Sequence, residues 1–190
     1  MARKVTLGLI QPDTEIGNVK ANVEKGVKLI AEAAARGAQV VLLPELFTTG
    51  YNSVILGSRF IQLAENVNGP SISAFAAAAK ENGVYVMVGY VEERGVPGVI
   101  YNSAAFISPE GKVIDSYAKT HLWSGERLFF AKGNDLPTYQ TEYGLFAPAI
   151  CYDVAFPELG RLYALRGVEL LLVISAWREE DEDIWENNCI

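Results

Sequence analysis

The stretch FAPAICYDVAFPE, Phe146 to Glu158, is apolar as far as Cys151, turns polar at Tyr152 and Asp153, and then meets a Pro-Glu pair. The apolar run reads as a strand, Gly144 to Ile150. The Pro-Glu pair opens a helix, Pro157 to Arg166, because proline suits the first helical turn and a carboxylate suits the positive end of the helix. Between them lies a tight turn with a thiol at its first position. A strand-turn-helix elbow of this kind exposes its side chain and aims backbone N–H groups at it. The following run, VELLLVISAW, is a second buried strand. Strand, helix and strand in succession mark a layered α/β fold with sheet inside and helices outside.

The same alternation runs back to the start. Residues Lys4 to Gln11 are β-rich. From Asn18 to Arg36 apolar residues recur at helical spacing, and Gly37 stops the helix. The run QVVLLP is continuously apolar, which suits a strand covered on both faces. A helix is expected over Ser71 to Asn82, between Pro70 and Gly83. The segments VYVMVGYVE and YNSAAFIS read as strands, and SPEGK turns the chain into a returning strand, VIDSYAK. An irregular stretch, Thr120 to Tyr139, follows, and long ordered loops carry function disproportionately. No repeat or linker divides the chain, so a single domain over residues 1–190 is expected.

Composition narrows the function classes. The 190 residues are 50% hydrophobic and 21% charged, with a formal net charge of −7. That balance argues against a nucleic-acid or anionic-membrane partner, since both reward a basic patch. The early run VTLGLI is too short for a signal or a membrane span. Two cysteines and one histidine supply neither a disulfide framework nor the usual ligands of a structural zinc, so a reducing cytoplasm and no metal are expected.

Three polar residues close apolar strands. Glu45 follows VVLLP, Lys119 ends VIDSYAK and Cys151 ends GLFAPAI. Each has a bland reading: a loop glutamate, a solvated strand-end lysine and a thiol packed as a small hydrophobe. Together they fit one chemistry. A thiolate attacks a carbonyl-type carbon, a carboxylate carries the proton, and a lysine with a backbone N–H holds the oxyanion. Histidine is not needed as the base, because burial raises a carboxylate towards neutrality.

With VVLLPELFTTGY, YAKTHLW and ICYDVAFPELGR in that order, the chain resembles the nitrilase superfamily, the carbon-nitrogen hydrolases. YNSAAFISPEGKVIDSYAKTHL is also similar to that family's strand-turn-strand approach to its lysine. The resemblance implies a four-layer α-β-β-α sandwich with no cofactor, commonly assembled as a homodimer or higher homo-oligomer. It implies Glu45 as general base, Lys119 as oxyanion cation, Cys151 as nucleophile, Glu126 as a supporting carboxylate and the Tyr152 N–H as second oxyanion donor. Cys-Tyr-Asp at the nucleophile resembles the amidase and carbamoylase branches, so a small amide or N-carbamoyl compound releasing ammonia is the implied substrate.

Tyr51, Trp123, Phe129, Phe156 and Trp177 are candidates to line the pocket, though aromatics more often fill cores. Arg127 and Arg161 could pair with a substrate carboxylate, against a bland reading as surface ion pairs. Cys189 and the acidic run Glu179 to Asp183 read as incidental and solvated. Asp153 and Glu158 are expected to hold the elbow and the helix start. Two departures from the family stand out. Pro148 lies inside the strand that leads to Cys151, where proline calls for an edge or a bulge. The family's further C-terminal strands are also missing from the sequence. This second departure keeps open a truncated or silent relative that acts by binding. A Cys-His enzyme using His121 is the third reading, and it lacks a clear third member.

Overall fold

The computed structural model describes residues 4–177, 180 and 186–187. Cys189 and the acidic run, apart from Glu180, lie outside the described residues. The first sheet contains β1 (Leu7–Leu9), β2 (Val40–Leu42), β3 (Tyr85–Glu93), β4 (Ile100–Ile107) and β5 (Val113–Ala118), adjacent in that order. The first three strands are parallel to one another, β4 runs antiparallel to β3, and β5 runs antiparallel to β4. The second sheet has β7 (Gly144–Ile150) between β6 (Tyr139–Thr141) and β8 (Leu170–Ile174).

Side-chain alternation builds the layers. Val41, Leu43, Val86 and Val88 face α1 (Val19–Ala35) and α4 (Pro70–Asn82), packing with Ile30, Ile72 and Phe75. Their neighbours Val40, Leu42, Tyr85 and Met87 face the other way. There they meet Phe146, Ile150, Leu172 and Ile174 of the second sheet. That sheet's outer residues, Ala147, Ala149, Leu171 and Val173, pack against Leu159 and Tyr163 of α5 (Pro157–Leu165). The result is the α-β-β-α sandwich.

Several details differ from expectation. The first strand is confined to Leu7–Leu9, the part that β2 pairs. Two short helices, α2 (Ser53–Leu56) and α3 (Arg59–Leu63), and the strand β6 were not foreseen. Each is too short to display a period. The last strand stops at Ile174 rather than running to Trp177, because its partner β7 has turned away at Cys151. Pro148 needs no bulge. Its register with Leu172 is unbroken, while β6 pairs only as far as Phe146, so β7 has a local edge at the proline.

Candidate active site

Glu45 sits three residues past β2, in a loop pressed onto β3. The loop lies so close that a Cβ on Gly89 would come within 2.5 Å of Pro44 O and Leu46 N. Only glycine permits that approach. Leu46 adopts φ +48, in the sparsely populated left-handed region. From the other side Asn22, buried in α1, donates its amide to Thr48 O at 3.0 Å and Glu15 O at 2.8 Å. Helix and strand therefore fix the loop between them.

Lys119 follows β5 directly and is fully buried. Its Nζ lies 2.7 Å from Glu45 Oε1 and 3.0 Å from each oxygen of Glu126. Burial alone would strip the proton from a lysine. The facing carboxylates outweigh burial and raise the Lys119 pKa above its ordinary value. The ammonium therefore persists in the interior. Burial, and then Glu45, raise the Glu126 carboxyl above the ordinary range. Glu126 also accepts from Trp123 N at 2.6 Å, which anchors it to its own short 3-10 turn, Ser124–Leu128.

The structure adds a residue that sequence reasoning missed. Asn102, buried in β4, donates Nδ2 to Glu45 Oε1 at 2.8 Å and to Glu126 Oε1 at 3.1 Å. Two carboxylates thus share one ammonium and one amide. The strand pattern could have hinted at it, since Asn102 is a polar residue in an otherwise buried strand.

Cys151 follows β7 at φ +47 and opens a 3-10 turn, Cys151–Ala155. Holding a non-glycine residue there costs about 1–3 kcal/mol, and strain of this kind gathers at functional sites. Asp153 fixes the turn. Its fully buried carboxylate accepts from Ile150 N at 3.0 Å and Tyr117 OH at 2.7 Å. It also accepts from Thr120 Oγ1 at 2.8 Å and His121 N at 2.9 Å. One carboxylate therefore ties the Cys151 turn to the segment after Lys119. Burial, then Glu45, raise the Cys151 thiol well above its ordinary pKa, while Lys119 and Ser175 oppose the rise. That direction favours the neutral thiol at rest, beside the Glu45 carboxylate.

The remaining candidates take varied places. Tyr51 donates its hydroxyl to Glu126 Oε1 at 2.9 Å, and burial, then Glu45 and Glu126, raise its pKa. The Trp123 and Tyr152 rings meet edge-on at 4.7 Å. Phe156 stacks on His121 at 3.8 Å, whose Nδ1 is 3.0 Å from Asp153 Oδ1. Half-buried Trp177 packs against the core between the sheets, and Phe129 against the cluster of Leu46 and Phe60. Arg161 is exposed on α5. Arg127 borders a cavity of about 490 Å³ with Lys132, His121, Thr120, Tyr152 and Phe156. Among the described residues no group of acidic, histidine or cysteine side chains is arranged to hold a metal ion. No helix among them is long and apolar enough to cross a membrane.

The family model described as "Carbon-nitrogen hydrolase" matches residues 6–189. A probable nitrilase from Schizosaccharomyces pombe is 34% identical over 98% of this chain and 72% of its own length. An omega-amidase from Homo sapiens is 34% identical over 90% of this chain and 63% of its own length. Thus the chain spans only part of the length of the relatives it matches. Among solved structures, an amidase from Nesterenkonia sp. superposes with a TM-score of 0.82 at 24% identity, covering 96% of this chain and 69% of that one. A CN-hydrolase superfamily protein from Xanthomonas campestris superposes with a TM-score of 0.84 at 23% identity, covering 96% and 68%. At these identities the superpositions speak to the fold.

Proposed function

Because the chain belongs to the carbon-nitrogen hydrolase family, we propose that it hydrolyses the C–N bond of a small amide or N-carbamoyl compound through a thioester on Cys151. The observation that carries this reading is the strained Cys151 at the end of β7, facing an ammonium shared by Glu45 and Glu126. A strained, buried thiol beside a base and a fixed cation is poised for acyl transfer.

Cys151 Sγ attacks the carbonyl carbon as its proton passes to Glu45. Oxygen takes the displaced electron pair and is held by Lys119 Nζ and the Tyr152 N–H. Collapse breaks the C–N bond, Glu45 gives its proton to the nitrogen, and ammonia leaves. Water then attacks the thioester with Glu45 as base, and the Cys151 thiol re-forms. Lys119 stays protonated throughout, which is what its two carboxylate partners favour. Glu126 takes no proton from substrate and keeps Lys119 aimed.

The test is intact-protein mass spectrometry with parallel ammonia release, on a panel of small amides and N-carbamoyl compounds, with Cys151→Ala as control. A substrate-dependent acyl adduct or ammonia release, absent from the control, is the expected result. No adduct and no ammonia from any compound would favour a silent relative that acts by binding.

A further inference from the structure

Parallel pairing of β7 with β8 matches Ile150 to Ile174. The next residues along the two strands are Cys151 and Ser175, and although β7 turns at Cys151 the two side chains remain neighbours where the ladder ends. Ser175 Oγ is buried, lies near enough to the Cys151 thiol to lower its pKa, and makes no hydrogen bond of ordinary geometry among the described residues. Its neighbour Ala176 donates N–H to Glu45 Oε2 at 3.0 Å, which pins this segment against the carboxylate facing the thiol. Buried hydroxyls are almost always satisfied, and a free one in a site calls for a reason.

Sulfur supplies that reason. A thiol is a weak acceptor, whereas a thiolate is a charged acceptor whose hydrogen bonds are roughly twice as strong. We propose that the Ser175 hydroxyl is a hydrogen-bond donor held for Cys151 Sγ at the stages of the reaction when the sulfur carries negative charge.

This rests on the reading of Cys151 as nucleophile. During acylation the thiol proton passes to Glu45 and the S–C bond forms. During deacylation water adds to the thioester carbon, and the C–S bond breaks with its electron pair on sulfur. Glu45 then returns a proton to that sulfur. Ser175 keeps its own proton throughout and lends only a hydrogen bond, first to the attacking and then to the departing thiolate. Around the thiol, Glu45 comes from the loop after β2 and Lys119 from the end of β5. Glu126 and Tyr51 stand beyond Lys119, and Asp153 lies on the thiol's own turn. Among these, Lys119 is the other group that favours thiolate, and Glu45 opposes it.

The test compares the chain with its Ser175→Ala and Ser175→Thr variants. The readouts are the rate of Cys151 alkylation by iodoacetamide across pH, located by peptide mass, and ammonia release on an accepted amide. Losing one charge-assisted hydrogen bond should raise the thiol pKa by about one unit, which slows alkylation about tenfold at each pH below it. The alanine variant should lose kcat by a similar factor at unchanged KM, and the threonine variant should recover most of both. Thermal stability should not fall, because alanine removes a buried hydroxyl that makes no hydrogen bond of ordinary geometry among the described residues in the resting state. Wild-type alkylation and kcat in Ser175→Ala would overturn the proposal, as would a fall in stability with no change in alkylation. Normal Cys151 alkylation with no amide turned over would count against the proposed substrates alone. A thiol that stays inert as pH rises would sink the nucleophile and the role of Ser175 together.

Discussion

Asn102 Nδ2 lies 2.8 Å from Glu45 Oε1 and also reaches Glu126. The amide cannot be turned over, because that would set Oδ1 against two carboxylates. Oδ1 is consequently left buried without a partner among the described residues. The arrangement gives up one acceptor to hold two anions. Asn102→Leu keeps the volume and removes the shared donor. Its kcat should fall about 100-fold, the scale expected when a reacting group shifts by an ångström, with a smaller change in KM. Asn102→Asp should be worse in both activity and thermal stability, since it adds a third carboxylate to one ammonium. Steady-state ammonia release and a melting curve on both variants check the order.

Replacing the proposed base, Glu45, should make the Cys151 sulfur more anionic. After burial, Glu45 is the largest influence raising the Cys151 thiol, while Lys119 lowers it. Glu45→Gln removes the first and keeps the second, so the thiol pKa falls. Below that pKa the thiolate fraction, and with it alkylation by iodoacetamide, should rise about tenfold for each unit of the fall. Amide turnover should be lost in the same variant, because no group remains to carry the proton. Alkylation as slow as in the unchanged chain would show that Glu45 does not act electrostatically on the thiol.

Lys119 has a structural role besides the chemical one proposed for it. Removing it leaves two buried carboxylates without their cation, a change that costs about 3–5 kcal/mol. Lys119→Met should therefore lower unfolding stability by that order at about neutral pH. The sign of the pH dependence follows from its raised pKa. Its stabilisation is fully present below the ordinary lysine value of 10.5 and fades as pH climbs from there through the higher folded value. The stability gap between the two proteins, measured by urea unfolding, should narrow progressively above that point. A gap that stays constant into strong alkali would contradict the ion-pair account.

The layered fold was legible because its long elements display their periods. α1, α4 and α5 and the strands β3, β4, β7 and β8 follow from apolar spacing and from glycine or proline punctuation. Glu45, Lys119 and Cys151 were legible because each closes an apolar strand, and the structure brings them together. Asn102 was not. Its meaning depends on which face of β4 it occupies and on what lies across from it, and neither is written in local sequence. Asn22 escaped for the same reason, since its bond to Thr48 joins residues 26 apart along the chain. Tyr51 was read as a candidate to line the pocket with the core as the commoner place for an aromatic, and its hydroxyl bond to Glu126, 75 residues along the chain, was likewise not legible in local sequence.

The Glu45 loop depends on a residue that carries no chemistry. Gly89 N donates to Pro44 O at 3.2 Å, and a Cβ there would meet Glu45 Cα at 2.7 Å. The obstruction is backbone, so no side chain can rotate away. Gly89→Ala should cost about 1–3 kcal/mol by overpacking. It should reduce kcat by more than that loss of stability alone would explain, about 100-fold, because the loop can yield only by carrying Glu45 with it. Ammonia release at a temperature where the variant is fully folded separates the two effects.

His121 and Asp153 look like two members of a catalytic relay, and their geometry argues otherwise. The imidazole Nδ1 is 3.0 Å from both Thr120 Oγ1 and Asp153 Oδ1, and its ring lies flat against Phe156. Asp153 spends its other bonds on Tyr117, Thr120 and two backbone N–H groups, one on each side of the gap between the Lys119 segment and the Cys151 turn. The carboxylate is a brace, and His121 is one of the groups leaning on it. His121→Ala should keep most of kcat and lose about 1 kcal/mol of stability, the worth of one hydrogen bond. Asp153→Asn nearly preserves shape but turns one acceptor oxygen into a donor facing other donors. It should lose at least about 2 kcal/mol, and kcat should fall with it as the turn at Cys151 loosens. Equal loss of activity in the two variants, measured at matched folded fraction, would restore histidine to the chemistry and remove the brace.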